Sequence, residues 1–392
     1  MLKLVEKSLC TGCAACKAVC PHDAISMRQD AEGFLYPHTD ASKCIECGLC
    51  AKACPSLNQG AARSPLSVYA AKAKDDELRL ASSSGGVFSL LAKDILSNGG
   101  LVFGAAFDHI DWHVYHMAVE DEESLQELRG SKYVQSDMGD CFRKVKDALL
   151  SDRPVLFSGT PCQIAGLRAF LGHDYEKLLL VDVVCHAVPS PLAWKKYLEK
   201  RVSAAYNLRE GGLRAIRRIV SRRKDCGWKR YSMSLGFANA MEYRAIFSDD
   251  PFMRGFLAEL YNRPSCHNCP SKNLRGGSDI TIADYWGVSS KLPEMDDDKG
   301  TSLVLVNTEK GARAFSALAE KIIVKESDFE HAVAVNPAIV RPTTPHRNRD
   351  RFFCRVMKSD FDSLVNRMLQ PPLKTRIRAF AGRELRKLGF RK

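Results

Sequence analysis

Cys10-Thr11-Gly12-Cys13-Ala14-Ala15-Cys16-Lys17-Ala18-Val19-Cys20-Pro21 sets a spacing that returns at Cys44-Ile45-Glu46-Cys47-Gly48-Leu49-Cys50-Ala51-Lys52-Ala53-Cys54-Pro55. Three-residue steps let successive thiolates of one turning loop reach three corners of an iron–sulfur cubane. The fourth cysteine, ahead of proline, is aimed at the other cluster. The predicted ligand sets are therefore Cys10, Cys13, Cys16 and Cys54 for one [4Fe–4S] cluster, and Cys20, Cys44, Cys47 and Cys50 for the second. Zinc is the competing reading, but it ordinarily takes two CxxC pairs and needs neither the third step nor the trailing proline.

Working outward, residues 1–60 read as a compact ferredoxin-like dicluster domain, with Gly33 to Thr39 extended between the blocks. The polar stretch from Asn58 to Ser64 forms a natural hinge. The 392 residues are 45% apolar, enough for a large core beyond the cluster domain. No apolar run approaches the roughly eighteen residues of a spanning helix. With no secretory pattern at the start and fifteen cysteines best suited to reducing conditions, a cytoplasmic protein is predicted. The formal charge is +12, yet residues 1–60 balance, and eight Lys or Arg against Glu384 fall between Pro371 and Lys392. That localisation, without a recognisable binding motif, argues against a nucleic-acid protein.

From Ser67 strand and helix patterns alternate. Strands are predicted at Val68 to Lys72, Leu101 to Phe107, Pro154 to Phe157, Leu178 to Val184, Ile280 to Ala283 and Leu303 to Asn307. Helices are predicted at Ser84 to Leu96, Met138 to Leu150 and Pro191 to Lys200. The expected fold class is α+β: the small dicluster domain, then a larger mixed α/β body whose parts span 66–150 and 151–310, then a helical extension with a basic tail over 311–392.

Seven cysteines lie outside the two blocks. Cys162 and Cys185 each follow a predicted strand, and Cys266 and Cys269 form a CxxC. Ligands of α/β sheets gather at the carboxyl ends of strands, so these four could converge on one metal centre. A zinc site, a redox dithiol at Cys266 and Cys269, and buried structural thiols compete with that reading. Cys141, Cys226 and Cys354 read as packing residues.

Neither GxGxxG after the first body strand nor a P-loop is present. Ser82-Ser83-Ser84-Gly85-Gly86 opens a predicted helix, where free amides form an anion site, and Gly130 to Ser136 adds a cation and an aromatic ring. Taken singly, the serine run is more often a helix cap than a phosphate cradle, and a lone Gly-Ser-Lys is common on surfaces.

Taken together, SSSGGVFS (Ser82 to Ser89), RGSKYVQS (Arg129 to Ser136), FSGTPCQIAGL (Phe157 to Leu167), VVCHAVPSPLAWKKYL (Val183 to Leu198) and CHNCPSKNLRGGSDITIADYWG (Cys266 to Gly287) resemble the family of coenzyme F420 hydrogenase/dehydrogenase beta subunits. They occur in the family's order over roughly residues 66 to 310. The resemblance implies FAD beside a third [4Fe–4S] cluster. It assigns Cys162, Cys185, Cys266 and Cys269 as that cluster's ligands, and places Ser84, Gly85, Gly86, Lys132, Tyr133, Gln135, Thr160, Gln163 and Trp286 around the flavin. His186 and Asp284 are candidate general acids, each with the alternative of orienting a ligand or satisfying a core polar group. This chain carries its own dicluster domain and a C-terminal extension, so the resemblance does not fix the deazaflavin as substrate.

The expectation is a relay. Single electrons enter from ferredoxin or another redox protein, pass through three clusters to FAD, and leave in two-electron reduction of a small organic substrate. The rival is a non-catalytic electron-transfer subunit that feeds a partner enzyme. In the tail, Leu373, Ile377, Phe380 and Leu388 fall near one helical face among basic residues, as in a helix at the inner face of a membrane or on an acidic partner. Packing on the protein's own body is the alternative.

Overall fold

The computed structural model describes residues 5–206 and 212–371. Its strands are β1 Ile25–Gln29, β2 Leu35–Thr39, β3 Ser67–Ala73, β4 Leu101–Phe107, β5 Val114–Val119, β6 Ser136–Asp137, β7 Val155–Gly159, β8 Leu178–Val183, β9 Ile216–Arg223, β10 Ser232–Phe237, β11 Glu242–Ile246, β12 Ile280–Asp284, β13 Ser302–Val306 and β14 Ile322–Ser327. Nine of them form one mixed sheet in the order β14-β3-β13-β12-β8-β7-β4-β5-β6.

The four strands β4, β7, β8 and β12 run parallel at its centre. β13 (Ser-Leu-Val-Leu-Val) is buried throughout, and β8 is buried from Leu178 to Asp182. Continuous apolar runs are expected of strands covered on both faces. The carboxyl ends of β7, β8 and β12 therefore lie along one edge, and the chain leaving them carries Cys162, Cys185 and Trp286. After β7 the turn into the helix Pro161–Leu171 is abrupt. Thr160 and Gln163 form a reciprocal capping box, Pro161 opens the first turn, and Gly172 at φ 78° closes the far end.

The six strands read from sequence are all present, within two residues at each end. Helix starts moved: the helix expected from Ser84 begins at Val87 and the one expected from Met138 begins at Cys141, while the third runs on to Tyr206. The stretch beyond residue 310 is not helical alone. Its strand β14 pairs antiparallel with β3, extending the body sheet. An edge strand buries only part of its surface, so Ile-Ile-Val-Lys-Glu-Ser lacks a full apolar run. The separate sheet β11-β10-β9 was also not anticipated.

The dicluster domain is seated firmly on the body. Cys13, Ala14 and Ala15 share a buried apolar cluster with Phe103, Phe142 and Phe157. Arg349, near the C-terminal end, forms a forked ion pair with Glu32, whose carbonyl accepts from Ser190 Oγ at 2.5 Å. The stretch expected as a hinge is held as well, with Arg275 Nη1 donating to Gln59 Oε1 at 2.9 Å. The basic tail beyond Pro371, with its apolar face, lies outside the described residues. Among those residues no helix is long and apolar enough to cross a membrane.

Candidate functional site

The two N-terminal thiol sets fold by one local rule. Gly12 and Ala14 adopt left-handed φ of 72° and 63°, and Glu46 and Gly48 repeat this at 56° and 77°, the same offsets from Cys10 and Cys44. Each loop thereby curls round a centre before a short helix, Ala15–Val19 or Leu49–Lys52. Cys10, Cys13, Cys16 and Cys54 line one cavity, and Cys20, Cys44, Cys47 and Cys50 line another. Those are the two sets predicted from spacing. The first is enclosed, and burial pushes the Cys13 thiol up to about 12. The second reaches the surface, where Cys47 is exposed. Cluster iron would hold these sulfurs as thiolates, so assembly must expel their protons.

In the body, Cys162, Cys185, Cys266 and Cys269 all line one cavity, together with Thr11, Arg263 and Lys272. Cys162 sits at the start of the helix after β7, Cys185 follows β8, and the other two flank the end of the short turn Pro264–Asn268. The backbone N–H of Val188 donates to Cys266 Sγ at 3.4 Å, and Thr160 Oγ1 stands 3.2 Å from Cys162 Sγ. Burial pushes the Cys162 thiol up to about 11 and Cys266 to about 12; Arg263 acts against burial at both. Among the described residues, no three of the thiols lie within 4.8 Å of one another. A tetrahedral zinc ion with bonds of about 2.3 Å would draw its sulfurs to about 3.8 Å. The set is more open than that. Of the other three cysteines, Cys141 is buried as expected of a packing residue, but Cys226 and Cys354 are exposed.

A far larger cavity, about 840 Å³, opens on the other side of Cys162, Cys185 and His186, which line both spaces. Ser84, Gly86, Lys132, Tyr133, Gln135, Thr160, Gln163 and Trp286 line it, bringing together segments far apart in sequence. Gly85 does not. Its amide donates to Ser302 Oγ at 3.0 Å, and a Cβ there would stand 2.4 Å from the Ala71 carbonyl, so it serves the close approach of loop to sheet. The helix Val87–Ser97 begins at Gly86, φ 89°, with no side-chain cap and three serines before it. Uncapped amides with positive dipole end suit a phosphate. Lys132 is half-buried in the wall of the same cavity. Burial draws its ammonium down to about 7, and it donates to the carbonyls of Glu127 and Arg129 at 2.7 and 2.8 Å. The Nε of Arg129 is buried in the same wall without a partner. Size and donor set fit a dinucleotide such as FAD.

The two acid candidates fare differently. His186 Nε2 lies 2.5 Å from Glu259 Oε1, with its ring edge-on to Phe256, and faces the cavity. Asp284 is committed on both oxygens, to Arg222 and to the indole N–H of Trp228 at 3.1 Å. It anchors the wall rather than offering a free proton. Trp228 stacks on Trp286 at 4.9 Å and 7°, and the Arg222 guanidinium sits 4.4 Å from the Tyr231 ring and 5.4 Å from Trp286.

Sequence reading missed Arg222, Trp228 and Tyr231 because β9 and β10 were not anticipated. It also missed His116, whose Nε2 lies 3.0 Å from the Ser158 carbonyl and Nδ1 2.5 Å from Ser136 Oγ. Burial holds this imidazole neutral, down at about 4. A lone histidine in a strand carried no signal.

A dicluster domain docked on this body defines an iron–sulfur protein of oxidoreductase type. The chain belongs to the family of coenzyme F420 hydrogenase/dehydrogenase beta subunits: the N-terminal model of that family matches residues 68–142, the C-terminal model 152–332, and a 4Fe–4S dicluster domain 9–58. It is 26% identical over 190 residues to a subunit of the F(420)H(2) dehydrogenase of Methanosarcina mazei, covering 46% of this chain and 53% of that one. It is 26% identical over 202 residues to the coenzyme F420-dependent sulfite reductase of Methanocaldococcus jannaschii, covering 50% and 30%. The dicluster region is 48% identical over 46 residues to a subunit of the Na(+)-translocating ferredoxin:NAD(+) oxidoreductase complex of Acetobacterium woodii, 12% of this chain and 13% of that one. The matches thus span about half of the first relative and less of the others. A chain of the F420-reducing [NiFe] hydrogenase complex from Methanosarcina barkeri superposes with TM-score 0.47 at 17% identity, over 75% of this chain and 93% of that chain.

Proposed function

We propose that this chain is an iron–sulfur flavoprotein oxidoreductase in which Cys162, Cys185, Cys266 and Cys269 hold a third [4Fe–4S] cluster between the enclosed N-terminal cluster and FAD. One observation carries the reading: Cys162 and Cys185 line both the four-thiol cavity and the 840 Å³ cavity, while Thr11, from the loop of the enclosed N-terminal set, lines both as well. FAD, when bound, supplies the exchange between single electrons and two-electron reduction of an organic substrate.

The chain's residues do the rest. The exposed set around Cys47 takes electrons from a redox partner at the surface, and the enclosed set is shielded from solvent. The uncapped helix at Gly86 and the Lys132 segment hold phosphate, and the Trp286, Tyr231 and Tyr133 side supplies flat apolar wall. His186, paired with Glu259, is the proton carrier that the cavity offers. The test is anaerobic purification with iron, sulfide and flavin measured per chain. Roughly twelve irons and one FAD are expected; roughly eight irons without flavin would leave the dicluster domain alone.

A second reading, an electron-transfer subunit that feeds a partner, is favoured by the names of two relatives, each one component of a larger enzyme. Purified chain given dithionite and a dye acceptor distinguishes the two: flavin turnover supports the enzyme, and a chain that carries clusters but binds no flavin supports the electron-transfer role.

A further inference from the structure

Arg263 is 1% exposed and lies where the dicluster domain meets the body. Its Nε donates to the Cys10 carbonyl at 2.8 Å and one terminal nitrogen to the Leu35 carbonyl at 3.0 Å. The rings of Tyr36 and Phe34 sit 4.2 and 5.3 Å from its guanidinium. Its Nη1 is buried with no hydrogen-bond partner. That nitrogen lies over Gly12, 2.9 Å from where a Cβ would stand, so glycine at φ 72° is what admits it to the loop of the enclosed set. On its other side Arg263 lines the cavity of Cys162, Cys185, Cys266 and Cys269. Among the described residues no carboxylate lies within 4.0 Å of it.

A buried guanidinium without an acid partner is strongly unfavourable unless another negative charge compensates it. Asp182 lines the same body cavity but makes no ion pair with Arg263, and the groups nearest the guanidinium belong to two sets of four cysteines: Cys10, whose carbonyl it binds, and the four that share its cavity. A cubane held by four thiolates is net anionic and gains one further negative charge on reduction, and nearby charge and hydrogen bonds set its potential.

We propose that Arg263 is the shared counter-charge of the enclosed N-terminal cluster and the body cluster, a positioning residue that raises the reduction potential of both. This rests on the third cluster of the reading above. Lys272 faces only the body cavity, donating to the Cys185 carbonyl at 2.7 Å, so it does not link the two sets. The exposed set around Cys47 is lined by neither cation and serves as an internal reference.

The test uses the full chain, purified anaerobically, with iron counted and cluster potentials followed by paramagnetic resonance during a dithionite titration. Arg263→Met keeps the stem and removes the charge; Arg263→Lys keeps the charge and loses the fork. The Met variant is expected to keep the wild-type iron content while two of the three cluster potentials move to more negative values and the third stays. The Lys variant returns both most of the way. Should the Met variant fail to assemble, Arg263→Gln, which retains a donor for the Cys10 carbonyl, carries the same expectation. Unchanged potentials in a neutral variant with full iron overturn the proposal, as does an equal shift of all three clusters. Wild-type protein with only eight irons would instead overturn the third cluster itself, a separate result.

Discussion

Cys13 of the enclosed thiol set rests directly on Gly166, in the middle of the helix that begins beside Cys162: a Cβ on Gly166 would stand 2.9 Å from the Cys13 Cβ and 3.0 Å from its sulfur. The dicluster domain and the body are thus in contact through a missing side chain, and two thiol sets are brought together by it.

Gly166→Ala should separate that contact. Overpacking of a filled interior costs about 1 to 3 kcal/mol, and the atom that must yield is a cluster ligand. The expected result is a lowered melting temperature together with loss of iron from the enclosed set. Full iron content with unchanged melting would show that the contact is slack.

Cys185→Ser should remove one corner of the body set and no ligand of the N-terminal sets. Iron should fall by about one third, from roughly twelve to eight atoms per chain, with the N-terminal cluster signals intact. Loss of all clusters, or of none, contradicts the assignment.

Asp284→Asn leaves the buried Arg222 without its carboxylate, and breaking a buried pair in this way costs about 3 to 5 kcal/mol. Because the same carboxylate holds Trp228 against Trp286, the cavity wall should loosen with it. Denaturant unfolding should report the lost stability, and flavin titration should show weakened binding.

His116 has its imidazole lowered from 6.5 to about 4 by burial. The unfolded chain therefore binds a proton that the folded chain refuses between these values. Stability is fully present above about pH 6.5 and declines as pH falls toward 4, by up to about 3 kcal/mol. Unfolding free energies measured from pH 7.5 down to pH 5 should fall, and His116→Gln should flatten that slope. An unaltered slope would place the titration elsewhere.

The cysteine spacing alone determined the dicluster domain and how its eight cysteines divide between two cavities, because a three-residue step and a crossing fourth cysteine are local geometry. The apolar runs of β8 and β13 were likewise legible as strands. Cys162 and Cys185 were legible as strand-end thiols, since the strands that carry them were legible.

Other features depended on packing at a distance. Gly85 sits in a motif expected around a cofactor, yet the sheet claims it, because only the approach of Ala71 shows that no side chain fits there. Asp284 has the chemistry of an acid until β9 and β10 deliver Arg222 and Trp228 to it. Those strands read poorly because Ile216–Arg223 is crowded with arginines, of which Arg217 and Arg218 stay exposed while Arg222 and Arg223 find carboxylates only in the folded chain. Arg263 is one arginine among many in the sequence. Only the docking of the loop at Cys10 against the turn before Cys266 gives it two carbonyls, two rings and an uncompensated buried charge, since burial and charge pairing are properties of what folds against a residue.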